Sequence, residues 1–252
     1  MSSTAPSKRD YSPNTLPSGN GALSWVNRVF STTVGSKIIV ACTAIILTGF
    51  VIGHLIGNLK VFAGPDSLNG YAKFLKDLGP FLWVARGGLI LMFVLHVALA
   101  IRVKWKSAAA RPIPYAYPAT IQASVASRFM LMTGLVILVF LLFHLAHYTF
   151  GVVEGTAARE HYLELHDAQG RHDVYRMVIS GFSNPLISVF YLFAQVMLFL
   201  HLSHGIGSVF QTLGLNAPRF QRLIKKASLG IAFLILVGNS AIVIAVWGGW
   251  IK

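Results

Sequence analysis

Negative charge is scarce in this chain: eight Asp and Glu stand against 21 Lys and Arg in 252 residues. All eight acids lie outside the long apolar runs. No series of carboxylates therefore crosses a bilayer, which argues against a proton pump or a cation transporter. Cysteine is reduced to Cys42. That excludes an intrachain disulfide, a CxxCH covalent haem site and an iron–sulfur cluster ligated by this chain alone. There is no glycine-rich phosphate loop, no Ser/His/Asp nucleophile set and no inverted repeat with broken helices.

What the chain does have is apolar length. It is 55% hydrophobic, only 12% charged, and its mean hydropathy is +0.65. These values belong to a membrane protein. The net charge of +13 does not indicate nucleic acid, because the basic residues sit in short flanks between apolar runs. Residues 1–28 are polar and rich in Ser, Pro and Gly, and read as a flexible cytoplasmic tail with no secretory h-region. Residues 29–252 read as one transmembrane domain.

Five runs are long enough to span: Ile38–Gly57, Phe81–Ile101, Phe129–Gly151, Leu186–Phe210 and Leu229–Trp250. In lipid they must be helices, so the fold class is an all-α membrane protein. The tail and first flank, the loop after the second span and the loop after the fourth share one side. Together they hold 13 of the 21 basic residues, which predicts a cytoplasmic N-terminus and an outer C-terminus. The long connection Val152–Pro185 lies on the other side. Within it, EHYLELHD reads as a solvated helical turn rather than a metal site. DVYRMVISGF reads as a short interfacial helix ended at Asn184-Pro185.

Four spans carry histidine: His54, His96, the pair His144 and His147, and the pair His201 and His204. Ionisable side chains inside hydrocarbon are costly and usually functional. At 1.5 Å per residue, His54 and His144 lie about 24 and 22 Å from the inner edge. His96 and His201, on spans of opposite direction, lie about 22 Å from the outer edge. In a core of about 30 Å this makes two layers roughly 14 Å apart. The outer layer pairs His54 with His144, and the inner pairs His96 with His201. A bis-histidine haem needs two opposed imidazoles at one depth, and without a cysteine link it must be haem b. Two haem b groups are therefore expected, with small residues such as Gly53, Gly134 and Gly205 near the ligands.

His147 and His204, one turn nearer the membrane surfaces, read as polar partners of haem propionates or of a quinone. Lys37, Arg102 and Arg128 are further propionate candidates. For each of these basic residues taken singly, topology and lipid headgroups are the simpler account.

The stretches GHLIGNLKVFAG with LNGYAKFL, LMFVLHVALAIRVK, SRFMLMTGLVILVFLLFHLAHYTFG and FLHLSHGIGSVFQTLG, in this order, resemble a known family. It is the single-chain, five-helix, dihaem cytochrome b subunit of succinate:quinone oxidoreductases, the succinate dehydrogenases and fumarate reductases. The resemblance covers roughly residues 30 to 250. It implies a haem-binding four-helix bundle plus a fifth helix in the bacterial inner membrane. It also implies that His54, His96, His144 and His201 are the axial ligands.

By the same resemblance, a flavoprotein and an iron–sulfur subunit dock on the cytoplasmic face, and the complex can oligomerise further. Electrons pass through the inner and then the outer haem to menaquinone or ubiquinone. No catalytic residue is expected in this chain, since the dicarboxylate site belongs to a partner. Phe199 stands where some members carry an acid linked to proton transfer, which leans toward succinate oxidation. Asn58, Asn69, Tyr71 and Lys73 are the expected quinone neighbours. The rival expectations are a haem b anchor of a hydrogenase or formate dehydrogenase and, from another class, a histidine-lined transporter or channel.

Overall fold

The computed structural model describes residues 29–110, 124–153 and 161–252. The tail expected over residues 1–28 lies outside them. The described residues form helices joined by turns and irregular segments, with no strand and one isolated antiparallel bridge, His166 with His172. In chain order the helices are α1 (Thr33–Asn58), α2 (Pro65–Asp77), α3 (Pro80–Ala109), α4 (Val125–Arg128), α5 (Met130–His144), α6 (Val174–Ser183), α7 (Pro185–Thr212) and α8 (Gln221–Trp247). Five of them are long and apolar enough to cross a membrane: α1, α3, α5 with its extension, α7 and α8.

The helices outrun the apolar segments that marked them. α3 continues past residue 101 through Arg102, Lys104 and Lys106, and α8 begins eight residues before residue 229. Hydropathy measures the hydrocarbon, whereas helical hydrogen bonding continues into the headgroup zone. α5 departs the other way. Its α-helical bonding stops at His144, and Leu145–Thr149 form a π-helical turn closed by Gly151 at φ 61°.

α1 packs on α3, α5 on α7, and α7 on α8, while α1 also touches α7 and α8. Close approaches mark these contacts. A Cβ on Gly238 would stand 2.8 Å from Leu55 Cδ1, so α8 closes on α1 only because residue 238 is glycine. Asn239 Nδ2 donates to Gln195 Oε1 at 3.1 Å between α8 and α7. α3 is the outlying helix, with only Leu99 buried. Ile90, Leu91, Val94, Trp83 and Trp105 on it are all exposed, as a lipid-facing surface requires.

One end of the bundle carries a polar cap. The amphipathic α2 lies against α6, and both meet the extended stretch from residue 161 to 173. Asn69 is fully buried there. Its Nδ2 donates to Asp167 at 3.2 Å and Asp173 at 2.9 Å, and its Oδ1 accepts from Tyr175 N at 2.9 Å. Arg171 bridges Asp167 at 2.7 Å and Asp66 at 2.6 Å. The short helix expected in DVYRMVISGF is α6, and Asn184 caps α7 by accepting from Leu186 N.

Candidate functional site

Three of the four candidate ligand histidines are held at Nδ1 by a hydroxyl on a neighbouring helix. Thr43 on α1 stands 3.2 Å from Nδ1 of His96 on α3. Thr133 on α5 stands 3.2 Å from Nδ1 of His201 on α7. Tyr191 on α7 stands 3.2 Å from Nδ1 of His144 on α5. Both threonines also direct their hydroxyls at carbonyls of their own helix, Thr43 at Ile39 and Val40, Thr133 at Met130. With the hydroxyl proton committed there, the oxygen is left to accept. His96 confirms the sense of this bond: its Nδ1 is also 3.3 Å from the Val40 carbonyl, which can only accept. In His96 and His201 this arrangement puts the proton on Nδ1 and leaves Nε2 with the bare lone pair that a metal requires. Among the described residues, none hydrogen-bonds Nε2 of His54, His96, His144 or His201.

The same geometry exposes a register that the depth count did not use. Thr43 precedes His54 by eleven residues, and Thr133 precedes His144 by eleven. Eleven residues bring a helix round to within about 20° of the same face, about 16 Å further along. α1 and α5 thus repeat one pattern. Each presents an outer-layer histidine and, at the inner layer on the same face, a threonine that holds the inner-layer histidine of the next span.

The outer pair is brought together: the rings of His54 and His144 have centroids 5.8 Å apart and stand at 88°. Imidazole–metal bonds of about 2.0–2.1 Å set two opposed ring centres roughly 6 Å apart. His96 and His201, the inner pair, are held by Thr43 and Thr133 in turn. Gly134, beside Thr133, gives His201 its room, since a Cβ there would stand 3.4 Å from the ring. His54 is exposed, and Phe50 stacks on it at 5.5 Å. Among the described residues, no three His, Cys, Asp or Glu side chains gather as a bare ion would need. Haem is the metal group that two axial imidazoles suffice to hold, because the macrocycle supplies the remaining ligands.

The other candidates fall into different places. His147 is fully buried, with Nδ1 2.9 Å from Tyr191 Oη. Its Nε2, the Tyr148 hydroxyl and the Ser180 hydroxyl are buried with no hydrogen-bond partner among the described residues. His147 Nε2 and Tyr148 Oη both crowd Gly181, where a Cβ would stand 2.8 and 2.7 Å from them. His204 pairs with Ser208 on its own helix at 3.0 Å. Arg102 fastens the start of α1, donating to the Phe30 and Ser31 carbonyls and to Ser36 Oγ. Lys37 and Arg128 are exposed.

Of the expected quinone neighbours, Asn69 spends its whole amide on the cap network. Lys73 forms an exposed ion pair with Asp77 at 2.7 Å. Tyr71 lies over Gly57, with Lys60 5.6 Å above its ring. Asn58 is half-buried at the end of α1. Thr43, Thr133, Tyr191 and Gly181 were not singled out from the sequence. The eleven-residue Thr-to-His spacing is the signal that marks the two threonines.

No protein family, curated protein or solved structure matches the chain.

Proposed function

We infer that the chain is a two-haem cytochrome b anchor of a succinate:quinone oxidoreductase. It would carry electrons between a cytoplasmic iron–sulfur partner and membrane quinone. The observation that carries the haem reading is the repeated register of α1 and α5, with Nδ1 of His96, His144 and His201 tied to hydroxyls. The succinate:quinone assignment rests on the resemblance of the four histidine-bearing stretches. Haem supplies one-electron redox chemistry when bound. The chain's own residues hold and tune it. His54 with His144 and His96 with His201 furnish axial nitrogens. Thr43, Thr133 and Tyr191 orient the rings and raise their basicity by accepting from Nδ1–H. The apolar walls keep the dielectric low, which is a lever on redox potential. The basic face, presented to the cytoplasm, is the docking side for the flavoprotein and iron–sulfur subunits, and the polar cap is the side on which quinone is met.

The deciding experiment is a pyridine haemochrome assay on the purified, assembled protein. A haem-to-protein ratio near two supports this reading, and assembled protein without haem overturns it in favour of a histidine-lined transporter. Copurification with a covalent flavin subunit that oxidises succinate separates it from a hydrogenase or formate dehydrogenase anchor. His54→Ala or His144→Ala should remove the outer haem and spare most of the inner one. Loss of the inner haem alone would invert the layers.

A further inference from the structure

The outer ligand differs from the two inner ones in what holds it. The threonine partners of His96 and His201 end their hydrogen-bond chains on helix carbonyls. Tyr191 instead stands between two imidazoles, with Oη 3.2 Å from His144 Nδ1 and 2.9 Å from His147 Nδ1. A phenol has one hydrogen, so it donates to one of these nitrogens and accepts from the other. With Nε2 of His144 committed to iron, its Nδ1 carries the proton and donates to Tyr191. Tyr191 then has its one hydrogen free to donate to His147 Nδ1, an arrangement that puts the proton of His147 on Nε2. His144 and His147, three residues apart across the end of α5 and its π-helical extension, share a face and meet one hydroxyl. Rings of Phe140 and Phe182 meet Tyr191 edge-on, each at 5.0 Å, and leave its hydroxyl little freedom.

We propose that Tyr191 is the positioning residue of the outer haem: it fixes the tautomer of His144 and sets the potential of that haem alone. This rests on the two-haem reading. Hydrogen bonding from Nδ1–H makes the ligand more basic and favours ferric iron, so removing the acceptor raises the potential. Tyr191→Phe keeps the ring and deletes the hydroxyl. In the assembled complex we expect the outer haem to shift by about tenfold in its reduced-to-oxidised ratio at fixed potential, about 59 mV upward for one electron. Its α-band and low-spin ferric resonance should change with it, while the inner haem stays put. Thr133→Val should do the reverse, moving the inner haem only. His147→Gln leaves Tyr191 with an amide to donate to and should move the outer haem less than Tyr191→Phe.

Two haems retained in Tyr191→Phe with an unmoved outer potential overturns the proposal, as does a shift of both haems together or the loss of both. Loss of the outer haem alone supports it when His147→Gln shows the smaller shift, and overturns it when His147→Gln leaves that potential unchanged. Wild-type protein without haem removes the underlying reading instead, and is told apart by the haemochrome ratio.

Discussion

Thr43 and Thr133 occupy positions where a valine would satisfy both the lipid and the helix, yet each spends its hydroxyl on an imidazole. Loss of a hydrogen-bond partner behind a metal ligand typically costs 10–100-fold in metal affinity. On the two-haem reading, Thr43→Val and Thr133→Val should therefore each leave the inner haem at least tenfold easier to lose, read as its absorbance after prolonged gel filtration in detergent. An unchanged inner haem in both variants would mean that the hydroxyls serve only their own helices. Gly181 is the other single-residue dependency. A methyl group there meets His147 Nε2 and Tyr148 Oη inside normal contact, and overpacking of this kind costs about 1–3 kcal/mol. Gly181→Ala should lower the thermal midpoint and, on the two-haem reading, broaden the outer-haem band. The histidines were legible in the sequence because charge-capable side chains stand out in hydrocarbon. Their partners were not, because threonine and tyrosine are ordinary there, and only a register shared by two helices singles out the threonines. The partners of Asn69 were not legible either, because Asp167 and Asp173 lie 98 and 104 residues away in the chain.

Among the elements, the polar cap is the part most exposed to solution conditions. Burial alone would raise the Asp167 carboxyl, but hydrogen bonds from Arg171 and Asn69 outweigh it and hold the group below its ordinary value of 3.8. A lowered carboxyl favours the folded cap above that value, and the preference is lost as pH falls through the folded one. His172 is also lowered, first by burial and then by Lys76, so the cap favours its neutral form. Protonation of the unfolded segment from about pH 6.5 downward therefore weakens the cap first, and protonation of Asp167 weakens it further in the acid range. Amide exchange in residues 161–175, corrected for intrinsic rates, should lose protection between pH 7 and 5 and again below pH 4. Protection that rises on acidification would contradict this. Asn69→Leu strands Tyr175 N and removes two donors to aspartate, each buried loss worth about 1–3 kcal/mol, and should release α2 from α6. The spans themselves were readable from hydropathy alone. Their ends were not, since helices run on into the interface through Arg102, Lys106 and Arg222.

For the whole molecule, charge is distributed by end. Among the described residues all five acids accompany the polar cap, while nine of the 16 basic residues sit at the opposite end. The positive-inside rule predicts that the basic end faces the cytoplasm. With Cys42 replaced by Ser, Gln169→Cys should react with an impermeant maleimide in intact cells, and Lys8→Cys only after permeabilisation. The reverse pattern would turn the molecule over. The eleven-residue step from Thr43 to His54, and from Thr133 to His144, then acquires an electrical meaning. About 16 Å is about half of a 30 Å hydrocarbon core. On the two-haem reading, each electron passing from the inner to the outer layer crosses about half of the membrane voltage, toward the positive side. At 100 mV that is about 1.2 kcal/mol downhill per electron, and reverse flow must climb it. The spacing of a threonine and a histidine on one helix face thereby sets how strongly an energised membrane biases the direction of electron flow.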